Sequence, residues 1–419
     1  MPREAITRIQ ALIIAVITVI AVVAGTIYYY LQYQAPPAPQ AVKIGVLAPL
    51  SGPAAAQGKY LKQGFMLAAQ DLNEKGGILV RKIELVFADD KSDPEIAARE
   101  TERLIEVEKV DFLSGGTSTA THLATMDVVA RYDIIILYSI PAGLSMDQKV
   151  LSNPEKYRNV FFLDLNSTVW GSFEILWLKE IVKAGQWAPR NNRVAIIAED
   201  TDWGREVCET WKELMEEWGW EIVAYEIVDY GQTEFYSVLT KIKPYDPVVI
   251  KAELTSVSSG VALVKQAKEL DLKALIFPGY SAEVREFEEL LGSYADYVVY
   301  YGYPVPKSWV DHLLKVFPDS DPTGAFWGYD SLLVLASAIE KAGSFETDKV
   351  REALLKYPHK GLWGTYVFHP ETHRALWGPE YVTPAAVVFY KGTRYFVWPP
   401  RLKEGEWTYP YHEWVPPPW

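Results

Sequence analysis

The fold of this chain is decided by residues 111–143, which read DFLSGGTSTATHLATMDVVARYDIIILYSIPAG. Their apolar runs predict strands at 111–114 and 134–138, and the stretch between them predicts a helix at about 120–131. A polar loop follows each strand, at 115–119 and at 139–143. In a parallel sheet both loops would lie at the carboxyl ends of adjacent strands, which is the usual ligand crevice of α/β proteins.

The first of these loops has a composition that suits an anion. Gly115 and Gly116 allow the backbone to approach a ligand closely, and Thr117, Ser118 and Thr119 stand where the helix begins. Free N–H groups and the positive end of the helix dipole collect at such a point, so a carboxylate would be stabilised there. The alternative is that the three hydroxyl residues only cap the helix, and the segment alone leaves both interpretations open.

The rest of the chain repeats the alternation of strands and helices. Strands are predicted at 42–48 and 83–88 before the central segment, and at 160–165, 194–199, 222–228, 248–252 and 275–277 after it. A third section begins at 298–303 and contains helices at 325–342 and 347–356, and the tail from 358 is rich in aromatic residues and proline. This order predicts an α/β protein built from two doubly wound parallel sheets.

The amino-terminal residues predict a membrane segment. Residues 9–42 contain no charged side chain, and an apolar run from 11 to about 31 is preceded by Arg3 and Arg8. About 20 apolar residues span a bilayer, and the arginines favour a cytoplasmic amino terminus. We therefore expect a membrane anchor at 1–33, a proline-rich linker at 34–41, and a globular part outside the cell. A cleaved signal peptide and a pilin-like signal cut before the apolar run are the alternatives.

Composition and motifs argue against several classes of protein. The chain has 419 residues, a net charge of −13 and no basic stripe, so we expect no nucleic-acid partner. Cys208 is the one cysteine, which excludes a cysteine-built metal site. The sequence contains no P-loop, no G-x-S-x-G elbow and no complete dinucleotide fingerprint. We predict no catalytic residues, no cofactor and no metal.

Several segments closely resemble the leucine/isoleucine/valine-binding-protein family. The similarity is carried by VKIGVLAPLSGPAAAQG at 42–58, RKIELVFADDKSDPEIA at 81–97, SGGTSTAT at 114–121, IIILYSIPAG at 134–143 and VAIIAEDTDWGRE at 194–206. These proteins are extracytoplasmic solute receptors of ABC importers, with the type I periplasmic-binding fold. The resemblance implies two lobes joined by three crossovers near residues 163, 297 and 358. The first lobe would comprise 42–163 plus 298–357, and the second 164–297 plus 358–419.

The resemblance also implies positions for the ligand. In the family, a serine in the first loop and backbone groups and a hydroxyl in the second hold the carboxylate and amino group of an amino acid. Ser118 or Thr119 matches the first position, and residues from Ser139 to Ala142 match the second. An aromatic residue before a glycine packs on the ligand in the second lobe, and Trp203 stands there.

Two positions depart from the family pattern. Amino-acid binders of the family often carry tryptophan where this chain has Gln57. They also carry an acid for the ammonium of the ligand in the segment that corresponds to PGYSAE, where the nearest matches are Tyr280 and Ser281, with Glu283 two residues on and Glu253 as another candidate. A carboxylate-bearing ligand is therefore better supported than an α-amino acid.

The sequence thus predicts an extracytoplasmic solute-binding protein tethered to the cytoplasmic membrane. Its ligand would be a branched-chain or another amino acid, delivered to an ABC-transporter permease. The alternatives are a membrane-tethered sensor of the same fold, and a binder of a carboxylate or amide instead of an amino acid. A dehydrogenase or hydrolase would need the site motifs that are missing, and a purely structural surface protein would have a cleft without polar groups.

Overall fold

The computed structural model describes residues 7–32, 40–52 and 54–419 and divides the chain into two compact units, 1–40 and 41–419. Most of the predicted linker lies outside the described residues. In the first unit, helix α1 (Arg8–Gln32) includes a stretch from Arg8 to Tyr30 with a mean hydropathy of 2.6. This stretch is long and apolar enough to cross a bilayer, and a signal sequence would have the same properties.

The second unit begins with a five-stranded parallel sheet, here called the first sheet. Its order is β2-β1-β3-β4-β5. The strands are β1 (Val42–Ala48), β2 (Ile83–Asp89), β3 (Phe112–Gly115), β4 (Ile136–Tyr138) and β5 (Val160–Phe162). The helices that alternate with them are α2 (Ala55–Glu74), α3 (Pro94–Glu106), α4 (Thr119–Val129) and α5 (Leu144–Ser152).

A second parallel sheet follows in the order β7-β6-β8-β9. The strands of this second sheet are β6 (Arg193–Glu199), β7 (Glu221–Val228), β8 (Val249–Glu253) and β9 (Leu275–Phe277). The helices around it are α6 (Ser167–Lys183), α7 (Asp202–Glu217), α8 (Tyr236–Ile242), α9 (Val257–Glu269) and α10 (Arg285–Leu291). The predicted α/β fold with two parallel sheets and one amino-terminal apolar helix is confirmed.

Some of the remaining elements lie beside the first sheet and others beside the second. They are β10 (Val299–Gly302), α11 (Lys307–Val316), α12 (Pro322–Ala342), α13 (Thr347–Lys356), β11 (His359–Lys360), β12 (Thr365–Tyr366), β13 (Ala385–Tyr390) and β14 (Thr393–Trp398). Strand β10 pairs antiparallel with β13, and a parallel bridge between Ile276 and Val298 links it to the edge of the second sheet. Helix α12 packs instead on α2 beside the first sheet.

Strand pairing differs from the predicted lobe boundaries at two places. The boundary at 297 separates β10 from β13, although the two strands are hydrogen-bonded neighbours. The boundary at 358 assigns the whole tail to the second lobe, whereas Arg374 forms a parallel bridge with Phe162 of the first sheet. These pairings join segments that are far apart in the sequence. The local periodicity of the sequence therefore could not predict them. The division into lobes as a whole stays a prediction.

Local signals explain where several helices begin. Asp93 accepts hydrogen bonds from the N–H groups of Glu95 and Ile96, and Pro94 follows it at the first helical position, as predicted for α3. Thr201 caps α7 in the same manner through the N–H of Gly204. These caps place the helix starts directly behind the strands, so the loops between them stay short.

The contact between α2 and α12 depends on two glycines. A Cβ atom at Gly64 would lie 1.8 Å from the carbonyl oxygen of Ala325, and one at Gly328 would lie 2.2 Å from that of Leu61. Both distances are far below contact distance, and the obstructing atoms belong to backbone. The two helices can approach this closely only because neither position has a side chain.

We expect Gly328→Ala to destabilise the protein by at least about 2 kcal/mol, because the added methyl group forces α12 away from α2. Chemical unfolding of the full-length chain in detergent, followed by circular dichroism, measures the change. Gln70→Ala on the exposed face of α2 is the control and should change stability by less than about 0.5 kcal/mol. Equal stability of the two variants would contradict the proposed close approach.

Candidate functional site

A cavity of about 500 Å³ lies where the carboxyl ends of the strands of both sheets meet. Residues from the loops and helix starts after β1 to β5 line one side, and residues from those after β6 to β9 line the other, together with Tyr301 of β10 and Tyr303. The lining residues of the described chain are Ala54, Gln57, Lys91, Ser92, Thr117, Ser118, Thr119, Ala120, Ile140, Ala142, Asp164, Trp170, Asp200, Thr201, Asp202, Trp203, Tyr230, Thr255, Tyr280, Tyr301 and Tyr303. The volume falls within the range of small-molecule sites.

The loop after β3 presents unused polar groups to this cavity. Gly115 and Gly116 have φ angles of +99° and +81°, and a Cβ at Gly115 would lie 2.2 Å from the carbonyl oxygen of Leu47. Ser118 occupies the N-cap position of α4, but its side chain makes no capping hydrogen bond. The interpretation that these hydroxyls only cap the helix is therefore not supported, and the hydroxyl of Ser118 stays available to a ligand.

The loop after β4 is held from behind by Arg374, whose side chain is buried. Its Nη1 donates to the carbonyl oxygens of Pro141 and Asp164, the latter at 2.9 Å, and its Nη2 donates to that of Gly143 at 3.2 Å. Its Nε donates to Asp147 at 2.6 Å, and that carboxylate balances the buried charge. One arginine of the tail thus fixes the second loop and the segment after β5.

Asp164 contributes a buried carboxyl group to the lining. Its Oδ1 accepts hydrogen bonds from the N–H of Leu165 at 2.7 Å and from the indole of Trp170 at 3.2 Å. Its Oδ2 has no hydrogen-bond partner among the described residues. Burial raises the pKa of this carboxyl group to about 8, even though the hydrogen bond from Leu165 favours the ionised form.

A buried ionic cluster supports the opposite side of the cavity. Glu253 Oε1 accepts hydrogen bonds from Trp203 Nε1 at 3.0 Å and from the N–H of Tyr280 at 2.9 Å, and the hydroxyl of Tyr301 lies 3.4 Å away. Its Oε2 accepts from Lys251 at 2.9 Å, and Lys251 also donates to Glu174 at 2.5 Å. One carboxylate therefore positions three residues of the lining.

The protonation of this cluster follows from its burial. Burial alone would lower the pKa of Lys251, but the charges of Glu174 and Glu253 raise it above its usual value. Burial raises the pKa of Glu174 to about 6, against the opposing effect of Lys251. Lys251 is thus held as a cation between the two acids.

Glu283 is a second buried acid close to the cavity. It is 1% exposed, and neither carboxylate oxygen has a hydrogen bond of normal geometry among the described residues. Burial raises its pKa well above the usual value, while the hydroxyl of Tyr303 lies close enough to favour the ionised form. Tyr303 itself lines the cavity, so the carboxyl group stands directly behind the lining.

Glu206 on α7 connects the two sides of the cleft. Its carboxylate accepts hydrogen bonds from the N–H groups of Leu144 at 2.7 Å and Ser145 at 3.3 Å, at the start of α5. The hydroxyl of Ser167 donates to the same carboxylate at 2.7 Å. These bonds join the second sheet to the loop that follows β4, at the helix end that favours an anion.

The structure brings six of the nine predicted site residues to the cavity: Gln57, Ser118, Thr119, Ala142, Trp203 and Tyr280. Ser139, Ser281 and Glu253 are not in the lining. The hydroxyl of Ser139 lies 2.7 Å from that of Ser331, and the hydroxyl of Ser281 donates to the carbonyl oxygen of Pro278. Glu253 lies behind the lining and accepts hydrogen bonds from Trp203 and Tyr280, which do line the cavity.

Sequence reasoning missed Asp164, Trp170, Tyr301 and Tyr303 in the lining. Asp164 and Trp170 follow β5, and the two tyrosines belong to β10 and the residues after it. A polar residue directly after the apolar run 160–163 was the available signal for Asp164. The tyrosines stand in an apolar run that reads as buried strand, so their sequence carried no such signal.

Comparison with known proteins identifies the family to which the chain belongs. Residues 41–386 match the model of a family described as periplasmic binding protein. The chain belongs to this family. A Leu/Ile/Val-binding protein homolog of Brucella abortus is 25% identical over 78% of this chain and 86% of its own. The predicted resemblance to leucine/isoleucine/valine-binding proteins is thereby confirmed.

Solved structures of periplasmic binding proteins share the fold. The branched-chain amino acid transporter substrate binding protein LivJ from Streptococcus pneumoniae, in complex with isoleucine, has a TM-score of 0.73 at 20% identity and covers 88% of this chain and 100% of its own. An ABC transporter solute binding protein from R. palustris, in complex with benzoate, has a TM-score of 0.72 at 18% identity, with coverages of 89% and 98%. Similar folds thus hold chemically different ligands.

We expect Arg374→Met to increase the amide hydrogen exchange of residues 139–147 at least tenfold, because the carbonyl groups of this loop lose their common donor and Asp147 loses its charged partner. Exchange measured by mass spectrometry on the full-length chain tests this. Arg99→Met, on the exposed face of α3, is the matched control. Unchanged exchange in this loop of the Arg374 variant would rule out the assigned role.

We expect Lys251→Met to lower the free energy of unfolding by about 3–5 kcal/mol, because two buried acids lose their shared cation. Adding Glu253→Gln should recover part of this loss, since it removes one of the unpaired charges. Urea unfolding of both variants measures the effect, with Lys183→Met at an exposed position as the control. A loss below about 1 kcal/mol would contradict the assignment of a charged cluster.

Proposed function

We propose that the protein is an extracytoplasmic solute-binding protein that captures a small carboxylate-bearing ligand, such as an amino acid, and delivers it to an ABC-transporter permease. The observation that carries this proposal is the cavity where the loops of both sheets meet. Its lining offers hydroxyl groups after β3 and the buried carboxyl group of Asp164 after β5. A zwitterion matches this arrangement.

The carboxylate of the ligand would bind at the start of α4. The hydroxyl of Ser118 is unused there, Thr119 lines the same side, and the first N–H groups of the helix point to the carboxyl end of β3. Backbone donors and the helix dipole stabilise an anion at this position. The loop that contains Ala142, which Arg374 holds in place, would complete the carboxylate site.

The ammonium group of an amino acid would face Asp164. This residue lines the cavity with one free oxygen, and its burial makes the ionised carboxylate unfavourable unless a cation lies beside it. Trp203 and Tyr280 would pack against the rest of the ligand, as the family resemblance implies. The bonds of Glu206 would favour the form of the cleft that encloses the ligand.

An aromatic carboxylate is the second candidate, and the aromatic lining favours it. Six of the lining residues are tryptophan or tyrosine, and the relative from R. palustris binds benzoate. The rings could stack on such a ligand while the start of α4 holds its carboxylate. This candidate leaves the carboxyl group of Asp164 without a counter-charge.

Membership of the family supports a transport role and a location outside the cytoplasm. Relatives are described as ABC-transporter proteins, so we propose a permease as the partner. Helix α1 would tether the globular unit to the outer face of the cytoplasmic membrane, or would direct its export.

Calorimetric titration of the full-length chain in detergent tests the proposal. Carried-over ligand is first removed by unfolding and refolding, and the panel contains leucine, isoleucine, valine, other amino acids, amides and benzoate. We expect one compound to bind in the micromolar range or tighter, with a loss of at least tenfold in Ser118→Ala and Trp203→Ala. Ser293→Ala, at an exposed position outside the cavity, should bind as the wild type does.

The panel separates the candidates. Binding of benzoate alone would favour the aromatic carboxylate. Binding that is unaffected by both cavity variants would place the ligand elsewhere. A folded protein that binds nothing in the panel would overturn the assignment of an amino-acid or carboxylate ligand.

A further inference from the structure

Gln57 places a carboxamide group in the lining of the cavity. It is the third residue of α2, and it is 5% exposed. A glutamine at this helix position can accept a hydrogen bond from the backbone at the helix start. Within the part of the chain that the structure describes, the amide of Gln57 makes neither this bond nor any other. A buried amide without a partner is unfavourable, so this group calls for a partner from outside the chain.

The amide of Gln57 is also open to the cavity. On the same helix, Gln63 Oε1 lacks a partner as well, but that atom is fully enclosed by protein. Neither the oxygen nor the nitrogen of the Gln57 amide belongs to the enclosed polar atoms of the described residues. A ligand in the cavity can therefore reach an acceptor and a donor of this one side chain.

The first turn of α2 is fixed against the loop after β1. A Cβ atom at Gly58 would lie 2.0 Å from the carbonyl oxygen of Pro49, so the helix start and the loop are in direct contact. The loop is held in turn by Asp89, whose carboxylate accepts a hydrogen bond from the hydroxyl of Ser51 at 2.6 Å. The position of Gln57 is thus set by the fold before a ligand enters.

The rest of the lining favours a neutral polar side chain on the ligand. Among the described lining residues, Ile140 is the only branched aliphatic one, and an isopropyl group would leave the amide of Gln57 unpaired. A second carboxylate would find Lys91 as the only basic residue of that lining, and its side chain is exposed, where an ion pair contributes little. A carboxamide matches a carboxamide, because each offers an oxygen acceptor and N–H donors.

We propose that Gln57 selects a ligand with a carboxamide group, so that the substrate is an amino acid of the asparagine or glutamine type. This inference rests on the proposed function, in which Ser118 and the start of α4 hold the carboxylate and Asp164 faces the ammonium group. Gln57 would bind the third polar group, which distinguishes these amino acids from apolar ones. The cavity of about 500 Å³ accommodates either length of side chain.

Sets of ligands with the same shape but different polarity test the inference. Asparagine, leucine and aspartate have side chains with the same branching and the same number of heavy atoms, and so do glutamine, homoleucine and glutamate. All six, with benzoate, are titrated calorimetrically into the full-length chain in detergent at neutral pH, after unfolding and refolding. We expect at least one amide to bind at least tenfold more tightly than its apolar and its acidic counterpart, because only the amide satisfies Gln57.

The variant Gln57→Met keeps the approximate length of the side chain and removes both hydrogen-bonding groups. We expect it to reduce the preference for the amide over the apolar counterpart at least tenfold, while the affinity for the apolar ligand stays the same or increases. Gln70→Met makes the same change at an exposed position of α2 and should leave the preference unchanged. Should the Gln57 variant fail to fold, the two ligand sets with wild-type protein decide by themselves.

The possible outcomes separate this inference from the function on which it rests. Tighter or equal binding of the apolar or acidic counterparts overturns the carboxamide site, while the solute-binding proposal survives. An equal loss of affinity for amide and apolar ligands in Gln57→Met would mean that Gln57 contacts a part common to both, which overturns its role in selection. Binding of benzoate alone overturns the inference and keeps a carboxylate-binding protein. The absence of binding by every ligand overturns both proposals.

Discussion

The cavity of this protein depends on one buried carboxylate, that of Glu253. It holds the indole of Trp203, the backbone of Tyr280 and the hydroxyl of Tyr301, which belong to three different segments of the chain. A buried acid is unfavourable by itself, and here Lys251 lies between it and Glu174. The cost of burying these charges is offset by a lining whose side chains need little reorganisation when a ligand enters.

On the opposite side of the cavity, a second buried ion pair, between Arg374 and Asp147, also positions residues of the lining. Arg374 comes from the tail, yet its guanidinium group binds carbonyl oxygens of the loop after β4 and of Asp164. The tail therefore takes part in building the site, although it follows the predicted lobe boundary at 358. In both cases a fully enclosed charge positions residues that can touch a ligand, while the charge itself stays behind the lining.

Sequence reasoning was successful where the structure is local. The strand at 42–48, the cap at Asp93 and the helix at 347–356 lie where periodicity and capping residues predict them. The cavity is reached by six predicted residues, because each stands in a loop or in the first turn of a helix that follows a strand end: Gln57, Ser118, Thr119, Ala142, Trp203 and Tyr280.

Other features depend on contacts between distant segments, and the sequence could not supply them. Ser139 turns away to Ser331, which is 192 residues further along the chain, and Arg374 reaches Pro141 over 233 residues. Tyr301 and Tyr303 stand in a run that looks like ordinary core, and the pairing of β10 with β13, which lies more than 80 residues further along the chain, positions this run beside the cavity.

The bonds of Glu206 to the start of α5 have a consequence for the timing of ligand exchange. They cross the cleft without touching the cavity, and any separation of the two sheets at this edge must break them. Water can satisfy the released N–H groups, so the break is a modest barrier. The residence time of a ligand would then depend partly on a residue that never contacts it, and variation at Glu206 could alter how long cargo is held without altering which cargo is chosen.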